Sequence, residues 1–349
     1  MKTNFTVLPM KEFSKFFVIA TTALWLYSCN DSSKKRHEIN GFTQGGKYHI
    51  AYLADDTSKI NEDVDSILNS IETTFSIFNP NSFISKLNDT GINEMKVPPM
   101  FAEVYTLAKE VTELSGGAFD ITVGPLVNAW GFGFKKGIRP DSTKVDSLLN
   151  LVGSNHVTFQ KNILTKKIKG VRIDMNAIVQ GFTCDKLAEY FIQKKITDFV
   201  IEIGGEVRAA GKKETGQLWK VGIERPSENE SERELETTVL LDNRSLATSG
   251  SYRKFFVENG IKYSHTIDPS TGYPVRHSLL SVTVLAPTCA QADAWATAFM
   301  VMGKEKAMTF LKNKGKGLQL EALFITAEPD GKMKTEGTEE FQKIIAGSK

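Results

Sequence analysis

The chain has 349 residues, of which 41% are hydrophobic and 24% are charged, and 43 Lys and Arg against 41 Asp and Glu leave a formal net charge of +2. This composition is typical of a globular protein with enough apolar residues for one large core or two small domains. The weak net charge argues against a nucleic-acid-binding protein, which usually carries a basic patch. The sequence contains no low-complexity tract and no fixed-period repeat.

The first residues carry the pattern of an export signal. Three lysines accompany an apolar run, Phe16–Tyr27, which ends in Leu26-Tyr27-Ser28-Cys29. A basic start, a short apolar region and a small residue before the cleavage site are typical of a secretory signal peptide. The last four residues, which include the cysteine that follows this site, resemble a bacterial lipobox, L-x-S-C. A membrane-spanning anchor is the alternative, but about 12 apolar residues are too few to cross a bilayer, which needs roughly 20.

Three regions are therefore expected. They are a signal peptide over residues 1–28, a lipid-carrying Cys29 with a polar tether up to residue 40, and a folded domain over residues 41–349. The expected protein is an exported bacterial lipoprotein, anchored to a membrane and facing the periplasm.

The periodicity of the apolar residues predicts mixed strands and helices without a regular βαβ repeat. Strands are expected over residues 47–53, 156–159, 163–167, 171–175, 199–203, 219–224, 237–241, 279–285 and 322–327, with 219–224 and 237–241 continuing the sheet that contains 199–203. Helices are expected over residues 60–71, 101–111, 141–151, 290–302 and 304–313, and from a cap at Asn176 to residue 191. This pattern is compatible with an α/β chain of the α+β type.

The predicted strand-to-helix joint at Asp174 is the first candidate site. An acidic residue ends the strand, Asn176 caps the helix, and Gly181 lets a ligand or another chain approach the backbone. The N–H groups at such a helix start favour anions, including phosphates. An ordinary structural joint is the alternative.

Asp120 lies inside an apolar, glycine-rich run, Gly116–Gly133. A buried charge needs a partner, so this carboxylate is expected to bind a ligand or to make a hydrogen bond. Capping of backbone N–H groups is the alternative.

Later segments supply further candidates. Gly204-Gly205 at the end of an apolar strand permits close approach of a ligand. The hydroxyl-rich stretch 246–253 can line a phosphate, and the alternative is that it forms an ordinary turn. His265 precedes the turn Asp-Pro-Ser-Thr-Gly, and a lone histidine is more often structural than catalytic. Cys184 and Cys289 either pair or remain free thiols, and neither lies in a pattern typical of zinc.

Asp293 and Thr297 are four residues apart on a predicted helix and so share one face. A carboxylate and a hydroxyl placed in this way can supply oxygen ligands to a hard cation such as Mg²⁺. A hydrogen bond between the two side chains on a surface helix is the alternative.

Seven motifs in order resemble those of the ApbE family, the FAD:protein FMN transferases. The motifs are GGAFDITVGPLVNAWGFG, DMNAIVQGFTCD, IEIGGEVRAAG, WKVGIERP, LATSGSYR, YSHTIDPSTGYPV and the D-x-x-x-T of DAWATA. The resemblance covers most of residues 41–330. Family members are exported and are often lipid-anchored, in agreement with the signal at the N-terminus.

The resemblance implies an activity and a fold. Members cleave the pyrophosphate of FAD in the presence of Mg²⁺, attach FMN through a phosphoester to a Thr or Ser of a target flavoprotein, and release AMP. Such targets include FMN-binding subunits of redox-driven ion pumps. The implied fold is two-lobed, with an antiparallel-rich sheet, packed helices and an active site in a cleft.

The resemblance also assigns residues. Asp293, Thr297 and the backbone carbonyl of Ala177 match the metal ligands, and Asp293 and His265 match catalytic positions, with His265 accepting the hydroxyl proton or contacting the phosphate. The positions that match FAD contacts are Gln44, Phe78, Ala118, Phe119, Asp120, Asp174, Gln180 and Ile267.

Three of these positions depart from the family pattern. Gln180 stands where a lysine is common, so a phosphate or flavin contact there becomes neutral and weaker. Gln44 replaces a common methionine, and Phe78 replaces a common tyrosine with loss of the hydroxyl.

Two alternatives to a transferase remain. One is an FAD pyrophosphatase that uses water as the acceptor, and the other is a flavin-binding lipoprotein without catalysis.

Overall fold

A computed structural model describes residues 34–133, 140–227, 234–252, 255–258 and 261–346. The expected signal peptide and the lipid site Cys29 lie outside these residues. Residues Lys35–Lys349 form one compact unit. Within the described ranges, no helix combines the length and the apolar character that a membrane span requires.

The strands follow the predicted apolar runs, with additions at the N-terminus and between the longer elements. In chain order they are β1 (Lys35–Thr43), β2 (Gly46–Ala54), β3 (Glu94–Lys96), β4 (Val157–Gln160), β5 (Ile163–Lys166), β6 (Phe199–Ile203), β7 (Glu206–Ala210), β8 (Trp219–Glu224), β9 (Leu235–Leu241), β10 (Arg244–Gly250), β11 (Phe255–Glu258), β12 (Ile261–Ser264), β13 (Leu279–Ala286), β14 (Glu321–Ala327) and β15 (Met333–Gly337).

The helices are α1 (Ile60–Phe75), α2 (Phe83–Leu87), α3 (Pro99–Leu114), α4 (Gly124–Ala129), α5 (Ser142–Leu149), α6 (Val179–Gln193), α7 (Cys289–Met302), α8 (Lys304–Phe310), α9 (Lys316–Leu318) and α10 (Glu339–Lys343). A 3₁₀ turn covers Ser154–His156, and a π turn covers Leu311–Gly315 between α8 and α9.

An eight-stranded sheet in the order β1-β2-β6-β7-β10-β13-β14-β15 organises the molecule. Every neighbouring pair in it is antiparallel. Alternation of side chains gives the sheet two apolar faces. The predicted α+β class with an antiparallel-rich sheet is confirmed.

Helices cover one face of the sheet. Ile50 and Ile201 pack there against α6 residues such as Leu187, and Val282 and Val284 pack against Trp295 and Phe299 of α7 as part of a larger core. Five of the 14 residues of α7 are alanine, which lets the helix approach the sheet closely, and ten of its residues are buried.

The opposite face is covered by the hairpin β8–β9 and by α10. Trp219, Ile223 and Phe341 pack there on Val207 and Leu246 of the sheet. The prediction that β8 and β9 continue the main sheet is therefore wrong: they form a two-stranded sheet of their own that lies on its outer face.

A smaller core lies apart from the main sheet. Leu126 of α4, Val145 of α5, Trp130, Tyr263 and Ile267 form it, and the Trp130 indole N–H donates to the Gly272 carbonyl at 2.8 Å. This cluster is the counterpart of the smaller lobe that the resemblance implies, although it belongs to the same compact unit as the sheet.

Two predictions about local structure fail. Residues 35–40 were expected in a polar tether but belong to β1, which pairs with β2 from Lys35↔Ala54 to Thr43↔Gly46. Because β1 is an edge strand whose side chains are mostly exposed, it lacks the apolar alternation that marks an inner strand.

The predicted strand at 171–175 is an extended segment without a strand partner. Val171, Ile173 and Met175 are buried as their alternation indicates. The backbone N–H and C=O of Ile173, however, bond to the Asn88 side-chain amide, both at 2.7 Å. An amide side chain therefore replaces a neighbouring strand.

Candidate functional site

The turn that precedes α6 contains Asp174. Its backbone N–H donates to the Ile121 carbonyl at 2.7 Å, and its carboxylate accepts the Asn176 N–H at 2.9 Å. Burial raises the pKa of the Asp174 carboxyl, against the lowering effects of this hydrogen bond and of Arg172. Asn176 itself is exposed and does not cap α6, which begins at Val179 after Ile178.

A residue of another helix, α7, supplies the hydrogen-bond acceptor for a backbone N–H in the first turn of α6. The Gly181 N–H donates to Oδ2 of Asp293 on α7 at 3.1 Å, because it belongs to the first turn of α6, whose N–H groups have no acceptor within the helix. Asp293 is only 7% exposed. Burial raises the pKa of this carboxyl to about 7, and the nearby Asp185 contributes in the same direction while the Gly181 hydrogen bond opposes it.

Gly181 is required by the closeness of the two helices. A Cβ at this position would lie 2.2 Å from the Cys289 carbonyl oxygen, and under 3 Å from the Ala290 nitrogen. The backbones at the beginnings of α6 and α7 are therefore in contact. In the sequence, only the presence of a glycine indicated that such a close approach was possible.

Asp185 fixes this contact and was not among the predicted site residues. Its two carboxylate oxygens accept the N–H groups of Cys289 and Ala290 at 2.8 and 2.9 Å. It thereby caps α7 from outside that helix. Burial raises the Asp185 pKa to about 6, while the two hydrogen bonds and Arg208 lower it. Its position four residues after Gly181, on the same side of α6, was the available signal.

Arg208 of β7 holds Pro287, which lies two residues before the first residue of α7. Its guanidinium donates to the Pro287 carbonyl at 2.7 Å and more weakly to Ser245 at 3.3 Å. Together with Asp185, it fixes the helix that carries Asp293.

The oxygen atoms near Asp293 suit a hard cation. Thr297 follows one turn later on α7, and its hydroxyl lies 3.3 Å from the Ser249 hydroxyl of β10. Ala177 lies before the first residue of α6, and no described donor bonds to its carbonyl. A carboxylate, a hydroxyl and a carbonyl are ligands that Mg²⁺ accepts while it keeps water or phosphate oxygens.

This set is sparse in charged groups. Among the residues that the structure describes, no three or more His, Cys, Asp or Glu side chains are grouped to hold a metal. The donors therefore fit an ion that is completed by a phosphate substrate rather than one enclosed by protein alone. The alternative of an Asp–Thr bond on a surface helix disagrees with the burial of Asp293.

Two glutamines converge on the same helix start. The Gln44 amide, in the β1–β2 turn, donates to the Thr183 hydroxyl at 2.6 Å. The Gln180 amide lies against the β6–β7 turn, where a Cβ at Gly204 would be 2.5 Å from its nitrogen. The structure thus brings Gln44, Gln180 and Asp293 together around α6.

The segment 118–120 is less open than expected. The Asp120 carboxylate accepts the Thr122 N–H and hydroxyl at 2.7 and 2.6 Å and the Ser154 N–H at 3.1 Å, which is the capping role considered as the alternative. The Phe119 side chain is buried in the main core, and Ala118 is half-buried. The Phe119 and Asp120 side chains thus make structural contacts, which leaves the backbone of this segment for a ligand.

The remaining predicted residues lie on other elements. Phe78 follows α1 and is 67% exposed. His265 follows β12, with its ring edge-on to Phe132 at 6.2 Å between centroids. Ile267 is buried in the smaller core and its backbone bridges to Pro274, so its side chain does not line an open site as expected.

Cys184 and Cys289 are buried free thiols. The Cys184 thiol donates to the Glu206 carbonyl at 3.4 Å. Burial raises the pKa of both thiols, which makes them poor nucleophiles and poor metal ligands at neutral pH.

Comparison with known proteins extends over the same region. Residues 44–324 match the model of the ApbE family. A FAD:protein FMN transferase of Haemophilus influenzae is 34% identical over 350 residues, covering 96% of this chain and 99% of the relative. One from Vibrio cholerae is 34% identical over 327 residues, covering 90% of this chain and 95% of the relative.

Solved structures agree with the sequence matches. The flavin transferase ApbE from Vibrio cholerae superposes with a TM-score of 0.78 at 31% identity, covering 89% of this chain and 99% of that one. The apo form of the Pseudomonas stutzeri flavinyl transferase ApbE gives a TM-score of 0.81 at 28% identity, covering 90% of this chain and 98% of that one. The chain therefore belongs to the ApbE family.

Proposed function

We propose that this protein is a Mg²⁺-dependent FAD:protein FMN transferase. It cleaves FAD, attaches FMN to a Thr or Ser hydroxyl of an exported flavoprotein and releases AMP. The observation that carries the proposal is the oxygen donor set at the start of α6, where Asp293 is held by the Gly181 amide beside Thr297. The names of the relatives, FAD:protein FMN transferases, support the substrate assignment.

The bond changes are those of a phosphoryl transfer. The acceptor hydroxyl oxygen attacks the phosphorus on the riboflavin side of the pyrophosphate, and a new phosphoester forms. The bond from that phosphorus to the bridging oxygen breaks, and the bridging oxygen leaves with AMP. Such reactions depend mainly on positioning and on stabilisation of the phosphate charge.

Asp293, Thr297 and the Ala177 carbonyl are the residues that would hold Mg²⁺. When bound, Mg²⁺ neutralises charge on the pyrophosphate and orients it for in-line attack. Asp293 must be ionised for this role, and its buried position holds the carboxyl partly protonated near neutral pH in the absence of the cation.

His265 is the candidate acceptor of the hydroxyl proton. It adjoins Ser264 and Thr266 in a loop braced by the bonds from Val275 N–H to Thr266 and between Ile267 and Pro274. A histidine has an unperturbed pKa close to the working pH of a general base.

The decisive experiment uses residues 30–349 with FAD, Mg²⁺ and an acceptor domain that carries a target Thr. A denaturing gel under ultraviolet light should show a fluorescent acceptor band, and the reaction should yield an equal amount of AMP. The same acceptor with Thr replaced by Val should stay dark. AMP without a fluorescent band would indicate an FAD pyrophosphatase, and neither product would indicate a flavin-binding protein without catalysis.

We further propose that the protein is an exported lipoprotein, held at the membrane by lipid on Cys29 and facing the periplasm. The support is the signal pattern that ends at Cys29. Metabolic labelling with palmitate should mark the full-length protein and not Cys29→Ser. Equal labelling of both would contradict the anchor. The acceptors would then be exported proteins at the same membrane, such as FMN-binding subunits of redox-driven ion pumps.

A further inference from the structure

A groove of about 320 Å³ lies on the face of the main sheet opposite α6 and α7. Its floor is formed by outward-facing side chains of β2, β6, β7 and β10, including His49, Val200 and Glu202, and its wall is the strand β8. The alternation of β6 places Ile201 and Ile203 toward the helices and Val200 and Glu202 toward the groove. The groove contains none of the residues that the family resemblance assigns, but it includes Gly204, Gly205 and part of the hydroxyl-rich stretch 246–253.

The wall of the groove is an open strand edge. β8 pairs with β9 on one side only. The other edge of β9 is covered by the C-terminal segment, through bonds from Leu240 N–H to the Ile344 carbonyl at 3.0 Å and from Ala346 N–H to the Thr238 carbonyl at 2.7 Å. In the described part of the chain, no strand covers the corresponding edge of β8 itself, although Leu218 just before it forms an isolated bridge with Lys212. That edge of β8 can therefore pair with a further strand.

The groove leads to the candidate site. Gly204 and Gly205, in the β6–β7 turn, line its end. On its other side Gly204 touches the Gln180 amide, and the next residue, Gly181, binds Asp293. A Cβ at Gly205 would meet nothing within 4 Å, so a chain can pass over this turn.

The chemistry of the groove fits an extended polypeptide. Only another extended backbone can pair with a row of strand N–H and C=O groups, and the six residues of β8 span about 20 Å. Lys213 and Lys220 line the groove together with Glu202 and Glu224, and Arg36 is paired with Glu38 and Glu214. The lining is therefore nearly balanced in charge, which favours a segment with mostly neutral side chains.

We propose that the acceptor protein docks here, with the extended segment that contains its target hydroxyl pairing with β8 and passing over Gly204-Gly205 toward the donor site. This inference rests on the proposed function, because it assigns a place to the protein substrate of the transferase. It separates the two substrates: FAD binds on the helix side of the sheet, and the acceptor binds on the opposite side.

Filling the groove should weaken acceptor binding without affecting FAD. Glu202→Trp places a large ring on the groove floor, whereas Glu202→Gln removes only the charge. Leu240→Trp is the matched control, because Leu240 lies on β9 outside the groove. We expect Glu202→Trp to raise the acceptor KM by about tenfold or more with kcat and the FAD KM little changed, and Leu240→Trp to leave all three unchanged.

Hydrogen exchange on the unmodified enzyme provides a second test that does not depend on the folding of a variant. A catalytically inert acceptor with Val at the target position should slow exchange in Trp219–Glu224, and FAD with Mg²⁺ should not. Three results would overturn the docking site. The first is slower exchange in Trp219–Glu224 with FAD instead of the acceptor, and the second is slower exchange there as the enzyme concentration alone is raised. The third is an unchanged acceptor KM in Glu202→Trp. A wild-type enzyme that transfers no FMN would instead refute the proposed function.

Discussion

Gly181 is the residue at which sequence and site geometry are most tightly linked. Its amide binds Asp293, and its missing side chain lets the α7 backbone lie against α6. A methyl group there meets backbone rather than a flexible side chain, so the helices must move apart.

We therefore expect Gly181→Ala to lower the free energy of unfolding by about 1–3 kcal/mol, as overpacking of a tight contact does. It should also displace the amide from Asp293 and reduce transfer. Gly317→Ala is the control, because no atom lies within 4 Å of a Cβ at that helical position, and it should be neutral or slightly stabilising. Urea denaturation of both variants is the measurement, and equal stability of the two would show that the contact is not tight.

Gln180 is the residue whose departure from the family pattern has the clearest chemical consequence. Its amide lies between the helix start and Gly204, where a lysine would add a positive charge beside the expected pyrophosphate. Hydrogen bonds from charged donors to phosphate are stronger than those from neutral amides.

Gln180→Lys should therefore lower the Kd for FAD by about three- to tenfold at low ionic strength, with the gain shrinking as salt is added. Gln180→Met is the control that keeps the length of the side chain without the charge or the amide. Fluorescence quenching of FAD measures both. An affinity that is the same for lysine and methionine would place the pyrophosphate elsewhere.

At the scale of elements, the start of α7 is held by α6 and β7 rather than by its own sequence alone. Asp185 caps it through two amides and Arg208 holds Pro287. This arrangement places two buried carboxyls, Asp185 and Asp293, close together with raised pKa values of about 6 and about 7.

The raised pKa values predict how stability changes with pH. Each carboxyl keeps its proton in the folded state at pH values where the unfolded chain, with a pKa near 3.8, has lost it. The folded state therefore binds more protons, and the free energy of unfolding falls as pH rises from about 4 to about 7. Urea denaturation at several pH values, with a chelator present, should show this slope.

Asp185→Asn isolates one of the two groups. It cannot ionise, so the slope between about pH 4 and pH 6 should become shallower. The contribution of Asp293 should remain but end at a lower pH, because the Asp185 charge no longer raises the Asp293 pKa. Arg208 and Glu189 are the charged groups that act on Asp185, and they are unchanged in this variant. A slope identical to that of the wild type would mean that Asp185 titrates normally.

The elements also show what the sequence could predict. Long periodic segments such as α1, α3 and β13 were predicted at nearly their observed positions, because one apolar face dictates each of them. The spacing of Asp293 and Thr297 was visible for the same reason. The cap by Asp185 was not, because its partners lie 104 and 105 residues away, and local pattern carries no information on such contacts.

The same limit explains the errors. The extended segment at Val171–Met175 alternates like a strand but bonds to Asn88, 85 residues away. The hairpin β8–β9 has strand periodicity in both strands, yet periodicity does not say which sheet a strand joins. The contacts of Asp120 with Thr122 and Ser154 also depend on packing, so the sequence could offer capping only as an alternative to a ligand contact.

For the whole molecule, the eight-stranded sheet divides the surfaces on which function depends. Its helix side carries Asp293, Thr297 and the Gln180 turn, and its other side carries the groove along β8. The glycine turn between β6 and β7 is where the two sides meet. This arrangement lets a small nucleotide and a large protein approach one reaction centre without competing for the same surface.

Because residues Lys35–Lys349 form one compact unit, a ligand bound at the start of α6 should stabilise that unit as a whole. FAD at about 100 times its Kd should add about 2.7 kcal/mol to the free energy of unfolding, which corresponds to a rise in Tm of about 5 °C for a chain of this size, and Mg²⁺ should add a further shift. In Asp293→Ala the protein should fold and FAD should still give part of the shift, but the additional shift from Mg²⁺ and the transfer activity should both disappear. Glu202→Gln, on the other face of the sheet, should retain the full shift. Scanning calorimetry with each ligand alone and with both distinguishes these outcomes, and a Mg²⁺-dependent shift that survives in Asp293→Ala would place the metal outside this site.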